Sequence, residues 1–252
     1  PVNTLKGNLS LGSKNAGLRS TLVVFQFSIS IVLLIGTTVI YDQMQYIMNS
    51  KIGFNKDEVV MIQGANALRD QTASFKNELL RLPVVKNVSV SDFLPIDNSK
   101  RNGNQFWKEG SQQDENSIPT QHWVVDENYI PTLGMQLMEG RNFSTKMGMD
   151  SSATIINKAM ADKLGFKNPI GEKITNGGEH LTIIGVVDNF YYESIKQEVK
   201  PLLMVLGNSN GVISVKVNAA DMKKALASIS TVWKDFLPNQ NMRYNFLDQS
   251  YA

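Results

Sequence analysis

The chain has 252 residues, of which 42% are hydrophobic and 19% are charged, so it can bury one large core or two small ones and is not disordered as a whole. It contains no cysteine, which excludes disulfides, thiolate metal sites and cysteine nucleophiles. The net charge is +2, and Lys6, Lys14 and Arg19 place three positive charges before residue 20, which leaves −1 for residues 20–252. Because a nucleic-acid-binding protein keeps basic residues on its folded part, the sequence excludes nucleic acid as a partner.

The first predicted element is a membrane-spanning helix at residues 20–41. No residue from Ser20 to Tyr41 is charged, and 14 of the 20 residues from Leu22 to Tyr41 are apolar. Twenty helical residues rise about 30 Å, the thickness of the hydrocarbon core of a bilayer. A core helix of a soluble protein rarely runs this far without a charge, and Gly36–Ile40 offers no small-x-small cleavage site for a signal peptide.

The flanking charges predict the orientation of this helix. Residues 1–19 are basic and Asp42 follows the span, so the positive-inside rule places residues 1–19 in the cytoplasm as a lead-in and residues 42–252 outside it.

A thin polar stripe runs along the predicted span. Gln26, Ser30 and Thr37 lie within about 40° of one another on a helical wheel. Such a stripe favours contact with another membrane helix, so we expect further spans that this chain does not contain. The chain also begins at Pro1 without a Met and stops at Ala252 directly after a predicted strand, so we expect a longer protein in the cell.

Residues 42–54 are predicted to continue the membrane helix as a stalk. The stretch from Asp42 to Ser50 contains no helix breaker, and Gly53 is the first residue expected to end the helix. A continuous helix is stiff, so the stalk could transmit a rigid-body motion.

Residues 55–94 and 206–252 each show a β-α-β pattern, and together they predict one lobe of an α+β domain. In each unit the helix has an apolar face at helical spacing and ends at a proline, Pro83 or Pro238. The predicted segments are strands Glu58–Gln63, Val88–Phe93, Val212–Val217 and Met242–Leu247, a helix after Asp70, and a helix for which Asp221 is the expected N-cap.

Residues 95–205 are predicted to form an inserted, β-rich second lobe. A polar stretch from Pro95 to Ile118 reads as a long loop. The denser part that follows predicts strands and one short helix. The predicted strands are Thr120–Val125, Met135–Met138, Ala153–Ile156 and Leu181–Val187, and the helix is Asn157–Leu164.

Motifs for catalysis or metal binding are weak. His122 and His180 lack the spacing of a zinc site, and neither a P-loop nor a dinucleotide-binding glycine motif is present, so we expect no metal and no cofactor. Gly207–Gly211 matches the G-x-S-x-G string of a nucleophile elbow. A strand pattern follows it instead of a helix, so we interpret it as a hairpin turn.

A cluster of aromatic and acidic residues follows the strand predicted at Leu181–Val187. Asp188 and Glu193 flank Phe190, Tyr191 and Tyr192, which could form a carbohydrate-binding platform. We interpret the cluster as a solvent-facing loop, with a protein interface patch as the alternative.

An ordered set of strings resembles one family, the FtsX/MacB-type ABC transporter permeases with a MacB-like periplasmic core domain. The set covers almost the whole chain. The strings are LKG from Leu5, LRSTLVVFQFSISIVLLIGTTVIY from Leu18, IGFNKDEVV from Ile52, EGRNF from Glu139, IIN from Ile155, LGFKNPIGEKI from Leu164 and IIGVVDNFYYESI from Ile183.

The resemblance implies a membrane subunit of an ABC transporter whose ATPase is a separate chain or domain. It implies a porter-like lobe of paired β-α-β units carrying the inserted β-rich lobe, and the lead-in resembles the linker between halves of a duplicated permease. In such families ATP-driven dimerisation is relayed through stalk helices to the outer domains. The family signature residues, which we interpret as structural, are Gly140, Arg141, Phe143, Asn157, Pro169, Gly171, Asp188 and Phe190.

The function expected from the resemblance is export or extraction of an envelope substrate from the inner (cytoplasmic) membrane, with no catalysis by this chain itself. The expected partners are an ABC ATPase subunit, a further permease half or a second copy, membrane lipid and an outer-membrane or periplasmic protein. The alternative is a sensor or scaffold domain that binds a peptide, a lipid or a wall hydrolase without transporting it. An anchored hydrolase is disfavoured because the elbow motif lacks its helix and no metal set accompanies it.

Overall fold

The structure is a computed structural model that describes residues 13–49, 53, 58–96, 102–111, 117–145, 150–192 and 198–247. The chain divides into two units, Pro1–Lys51 and Ile52–Ala252, which are treated separately below. Several sequence predictions fall outside the described residues: most of the lead-in, the end of the stalk at Ser50–Ile52 and Phe54, and Glu193.

The first unit contains one long helix, α1 (Ser13–Asn49). It covers the predicted span at residues 20–41 and continues without a break through Asp42–Asn49. Its segment Gly17–Gln45 contains an 18-residue window with a mean hydropathy of 2.3 and is long and apolar enough to cross a membrane. Five hydroxyls within this segment donate to carbonyls of the preceding turn, as in the bond from Thr37 Oγ1 to the Leu33 carbonyl at 2.7 Å. The helix therefore satisfies most of its own polar groups.

The second unit contains eleven strands and four α-helices within its described residues. The helices are α2 (Thr72–Leu80), α3 (Tyr129–Leu133), α4 (Lys158–Leu164) and α5 (Met222–Phe236). The strands are β1 (Val59–Gln63), β2 (Val85–Ser91), β3 (Gly103–Lys108), β4 (Ile118–Val125), β5 (Leu137–Gly140), β6 (Ala153–Asn157), β7 (Lys173–Thr175), β8 (His180–Val187), β9 (Leu202–Leu206), β10 (Val212–Val217) and β11 (Arg243–Phe246).

Both predicted β-α-β units are present and interleave in one antiparallel sheet. The strand order is β11-β1-β10-β2, so the two strands of each unit run parallel with one strand of the other unit between them. This arrangement is the ferredoxin-like split β-α-β fold. Helices α2 and α5 cover one face, where the Phe75 ring meets Trp233 edge-on at 5.7 Å. Asp221 stands at the N-cap position of α5, as predicted, but its side chain makes no capping hydrogen bond.

Six strands of the predicted insert close into a ring of pairings, β4-β3-β7-β8-β6-β9 and back to β4. Each of the six strands contributes an apolar side chain to one buried cluster, and α4 contributes two more. Because side chains from every strand meet in this cluster, it lies inside the ring. Its buried members are Phe106, Ile118, Ile156, Met160, Leu164, Ile174, Leu181, Ile183, Val186 and Leu203.

Another cluster of buried residues joins the ring to the ferredoxin-like sheet. It unites Val59 and Met61 of β1 with Trp123 of β4, and α3 packs on β2 and β10 at the sheet face that α2 and α5 leave open. The Trp123 ring lies 6.5 Å from Tyr129 and 5.9 Å from Phe190. Residues 52–252 thus form one compact unit with a continuous sheet, within which the lobe boundaries at 94–95 and 205–206 remain a prediction.

Elements that the sequence prediction lacks include β3, β7 and α3. The predicted loop Pro95–Ile118 contains β3, whose first three residues are exposed while Phe106 and Trp107 are buried, so it shows no regular alternation. Helix α3 was not predicted because its five residues are too few for a helical period and include Pro131.

Candidate functional site

A polar cleft of about 780 Å³ opens beside α2. Its walls are the exposed side of α2, the turn after β4 and the loop between β9 and β10. This volume is in the range of ligand pockets. Its polar lining includes Arg69, Asp70, Lys76, Asn77, Asp126, Glu127, Asn208, Ser209 and Asn210.

Three charged side chains form the inner part of the cleft. Lys76 Nζ lies 2.8 Å from Asp126 Oδ2 and 3.0 Å from Glu127 Oε1. Asp126 also accepts hydrogen bonds from Ser89 Oγ at 2.7 Å and from the Val90 amide at 2.7 Å. Because each of these groups has partners within the protein, the trio holds α2 to the end of β4.

The rim of the cleft carries a strained residue. Arg69 has φ 47° and ψ −122°, a conformation usually adopted by glycine. The Thr72 hydroxyl donates to the Arg69 carbonyl at 2.8 Å and also lies 3.1 Å from Asn210 Oδ1. These bonds connect the start of α2 with the loop on the opposite wall.

The Gly207–Gly211 segment is neither a nucleophile elbow nor a hairpin turn. It connects β9 to β10, with no helix after it, which agrees with the rejection of an elbow. The hairpin interpretation is wrong, because β9 pairs with β4 and β6 whereas β10 pairs with β1 and β2. Ser209 Oγ donates to Asp92 Oδ1 at 2.5 Å, which fixes the loop.

Neither histidine lines the cleft. His122 Nε2 is 4.0 Å from Glu179 Oε1, and His180 Nδ1 is 2.7 Å from Glu109 Oε1, both on the strand ring. Within the described residues no three His, Asp or Glu side chains are grouped so that they could hold a metal ion. The described residues also bring no histidine to Ser209.

Among the family signature residues, Arg141 has the strongest interaction. Its guanidinium makes two hydrogen bonds to Asp150, Nη1 to Oδ2 at 2.9 Å and Nη2 to Oδ1 at 2.6 Å. The Asp150 carboxylate is buried, and the hydrogen bonds from Arg141 and the Ser144 amide hold its pKa below the usual range although burial acts to raise it. The same pair raises the pKa of Arg141. Phe143 is buried in the cluster around Trp123.

Asn157 caps α4 and fixes the start of β9. Its Oδ1 accepts from the Met160 amide and from the Leu202 amide, both at 3.0 Å, and its Nδ2 donates to the Lys200 carbonyl at 2.9 Å. Asp188 accepts from the Asn189 amide at 2.7 Å. Asn157 therefore caps α4, and Arg141 forms its ion pair with Asp150.

Pro169 and Gly171 lie in a tight turn, and Gly140 is the last residue of β5. The Glu172 amide donates to the Pro169 carbonyl at 3.2 Å, with Gly171 at φ 89° inside the turn. Gly140 has φ 74°, and a Cβ there would lie only 2.1 Å from the Ile184 carbonyl oxygen. Both positions therefore suit glycine.

Phe190 and Tyr192 are buried, and both rings pack on Trp123, at 5.9 Å and 5.2 Å. The interpretation of this cluster as a solvent-facing loop is wrong for these two rings, because the core around Trp123 extends over them. No exposed carbohydrate platform can be built from them.

Two of the three side chains in the polar stripe predicted on α1 form hydrogen bonds within their own helix. Ser30 Oγ donates to the Gln26 carbonyl at 2.9 Å, and Thr37 bonds its own helix in the same way. In the part of the chain that the structure describes, the Gln26 amide group has no hydrogen-bond partner.

The residues that sequence reasoning missed are Lys76, Asp126 and Asp150. Each has its partner on another element or across a turn, and none stands in a recognisable motif. The spacing of nine residues between Arg141 and Asp150 corresponds to no regular secondary structure and gave no signal.

Comparison with known proteins identifies the fold. The periplasmic region of MacB from Actinobacillus actinomycetemcomitans aligns with a TM-score of 0.53 at 16% identity, over 81% of this chain and 94% of that chain. The extracellular domain of the ABC-type transporter YknZ from Gram-positive bacteria aligns with a TM-score of 0.50 at 19% identity, over 68% of this chain and 87% of that chain. No curated protein matches the sequence.

The family model of the MacB-like periplasmic core domain matches residues 20–232, which include the apolar part of α1 and most of the second unit. This match covers far more than half of the chain and agrees with the resemblance of its sequence strings. The chain belongs to the MacB-like periplasmic core domain family.

Proposed function

We propose that this chain is part of the permease subunit of an ABC transporter, anchored by α1 in the inner membrane with residues 42–252 on the periplasmic side. The observation that carries the proposal is the direct succession of a helix, whose most apolar 18-residue window has a mean hydropathy of 2.3, and a core domain of this family. The basic residues before the helix support the orientation. MacB and YknZ, whose outer domains share the fold, support the transporter class.

The proposed role of the second unit is mechanical. Ser209, His122 and His180 lie beside Asp92, Glu179 and Glu109 respectively, and among the described residues they form no catalytic pair with one another. The cluster around Trp123 joins the ferredoxin-like sheet to the strand ring, which supports movement as one body. In this proposal an ATPase partner hydrolyses ATP, and the stalk relays the resulting motion to the outer domain for export or extraction of an envelope substrate.

A sensor or scaffold is the second candidate, and the cleft beside α2 favours it. The cleft has the volume of a ligand site, and the side chains of Asn77 and Asn208 on its wall have no hydrogen-bond partner among the described residues. Amide side chains both donate and accept, which suits the backbone of a bound peptide. Such a domain would need no ATPase.

The two candidates differ in the proteins that they retain. We would purify the full-length tagged protein in mild detergent at native expression and identify its companions by mass spectrometry. An unrelated tagged inner-membrane protein serves as the control. Recovery of an ABC ATPase, with a second permease half or a second copy, supports the transporter. Consistent recovery of envelope proteins alone contradicts it and supports the scaffold.

A further inference from the structure

Gly53, where the chain enters the second unit, lies directly against the segment Asp188–Phe190. A Cβ on Gly53 would be 2.2 Å from the Asn189 carbonyl oxygen, 2.6 Å from Phe190 Cα and 2.7 Å from Phe190 Cβ. Gly53 also has φ 85°, which side chains disfavour. Two independent constraints therefore require glycine at this point, and both come from backbone geometry that cannot adjust by changing a rotamer.

The segment that receives Gly53 is itself tied to the strand ring. Asn189 Oδ1 accepts a hydrogen bond from the Ala159 amide at 2.8 Å, in the first turn of α4. Phe190 is fully buried and packs on Trp123 in the cluster that joins the ring to the ferredoxin-like sheet. A displacement of Gly53 would therefore move a segment with one contact to α4 and another to the central core.

The contact also joins two parts of the chain that are remote in sequence. Gly53 belongs to the string IGFNKDEVV and Asn189 to the string IIGVVDNFYYESI, both of which carry the family resemblance. Gly53 is separated from the end of α1 at Asn49 by only three residues. Gly53 is therefore the first described residue of the second unit that a force along the chain from α1 reaches.

We propose that Gly53 and the Asn189–Phe190 backbone form the joint that passes movement of the incoming chain to α4 and the strand ring. Gly53 and Asn189 are positioning residues, and neither touches a substrate in this proposal. The inference rests on the proposed function, because it assumes that ATP hydrolysis by a partner moves the chain that precedes Gly53.

The test is amide hydrogen exchange in the full-length protein with its co-purified ATPase, without nucleotide and after ATP hydrolysis has been arrested as the ADP–vanadate complex. In the wild type we expect severalfold different exchange between the two states at residues 157–165 and 186–192. Gly53→Ala should abolish this difference while ATP hydrolysis continues. Gly110→Ala is the matched control, since Gly110 has φ 82° but a Cβ added there would have no atom within 4 Å. It should keep the difference.

A second variant covers the case in which Gly53→Ala fails to fold. Asn189→Ala keeps the Asn189–Phe190 backbone against which Gly53 packs, but it removes the hydrogen bond to the Ala159 amide. It should therefore abolish the nucleotide-dependent change in exchange at residues 159 and 160 and retain that change at Phe190. The joint is overturned if the wild type hydrolyses ATP without any change at these segments, if Gly53→Ala or Asn189→Ala keeps the full change at Ala159, or if Gly110→Ala loses it. Failure to recover any ATPase overturns the proposed function, and the inference with it.

Discussion

Arg141 and Asp150 form a two-bonded ion pair in which the carboxylate is 1% exposed and the guanidinium 40% exposed. The pair joins the end of β5 to the short 3₁₀ turn that precedes β6. The Ser144 amide adds a third hydrogen bond to Asp150 at 2.7 Å. Because the carboxylate is buried, these three hydrogen bonds replace the ones that water would donate to it, and Arg141 supplies two of them.

Removing Arg141 should destabilise the second unit in a pH-dependent way. Arg141→Met leaves the Asp150 carboxylate buried with only the Ser144 amide as donor, and we expect a loss of about 2–4 kcal/mol in the free energy of unfolding at pH 7. The pKa of Asp150 is lowered in the folded protein, so its contribution to stability is present above the unfolded pKa of about 3.9 and disappears as the pH falls through the folded value. The difference between variant and wild type should therefore shrink in acid.

Denaturant unfolding between pH 7 and pH 3 measures this difference. Lys158→Met is the matched control, because it removes an exposed ion pair with Asp162 and should cost at most about 0.5 kcal/mol. An equal loss at pH 7 for both variants would contradict the assignment of Asp150 as a buried, Arg-dependent carboxylate.

Asn157 should be sensitive because one side chain serves three backbone groups. Asn157→Ala leaves the Met160 and Leu202 amides and the Lys200 carbonyl without their partner, and we expect a loss of about 2–4 kcal/mol. Asn157→Asp keeps the acceptor for both amides and loses only the donor to Lys200, so it should retain part of the stability. Thermal unfolding of both variants measures this order, and equal losses would mean that the cap and the β9 contact contribute nothing.

The local elements were predictable from the sequence because their signals are local. The two β-α-β units follow from apolar periodicity ended by Pro83 and Pro238, and α1 follows from an uncharged stretch. Asn157 directly precedes the helix that it caps, so this cap is also predictable from the sequence. These patterns can be recognised without knowing which elements pack against one another in the folded chain.

The closure of the ring and most of the candidate site were not predictable in this way. The parallel pairing of β4 with β9 joins residues about eighty positions apart, from Gln121–Leu202 to Val125–Leu206, and no short-range pattern encodes it. The same holds for Lys76 with Asp126 and for Gly53 with Asn189, since each contact exists only after the sheet has formed. The hairpin interpretation of Gly207–Gly211 failed because a turn composition does not reveal which strands pair.

Gly140 and Gly171 separate backbone strain from steric contact. Both have positive φ, but a Cβ at Gly140 would meet the Ile184 carbonyl oxygen at 2.1 Å whereas nothing lies within 4 Å of one at Gly171. Gly171→Ala should cost about 1–2 kcal/mol from conformation alone. Gly140→Ala should cost clearly more, because β5 must also move away from β8. Chemical denaturation compares the two, and equal losses would show that β5 shifts freely.

Gln26 should contribute to contacts between membrane helices. Its amide has no hydrogen-bond partner among the described residues, and such groups in a bilayer are stabilised by about 0.6–1.7 kcal/mol when another helix supplies one. Gln26→Leu in the full-length protein should therefore weaken association with a second copy or a further permease half by about threefold to twentyfold. Ser30→Ala is the control, because that hydroxyl bonds its own helix. Resonance energy transfer between labelled proteins in lipid vesicles measures the effect, and identical transfer in both variants would contradict a role for Gln26.

The stalk should lose its proposed function when its helix is softened. Glycines at Gln45 and Tyr46, in the last turns of α1, each reduce helix stability by about 1 kcal/mol relative to alanine. If the stalk acts as a lever, Gln45→Gly with Tyr46→Gly should leave ATP hydrolysis by the purified complex intact and fail to complement a deletion of the gene.

The double alanine variant at the same positions preserves the helix and should complement, which separates stiffness from side-chain contacts. Loss of hydrolysis in the glycine variant would point to failed assembly instead of failed transmission. Full complementation by the glycine variant would contradict the lever, because a flexible tether at the end of α1 would then serve as well as a rigid helix.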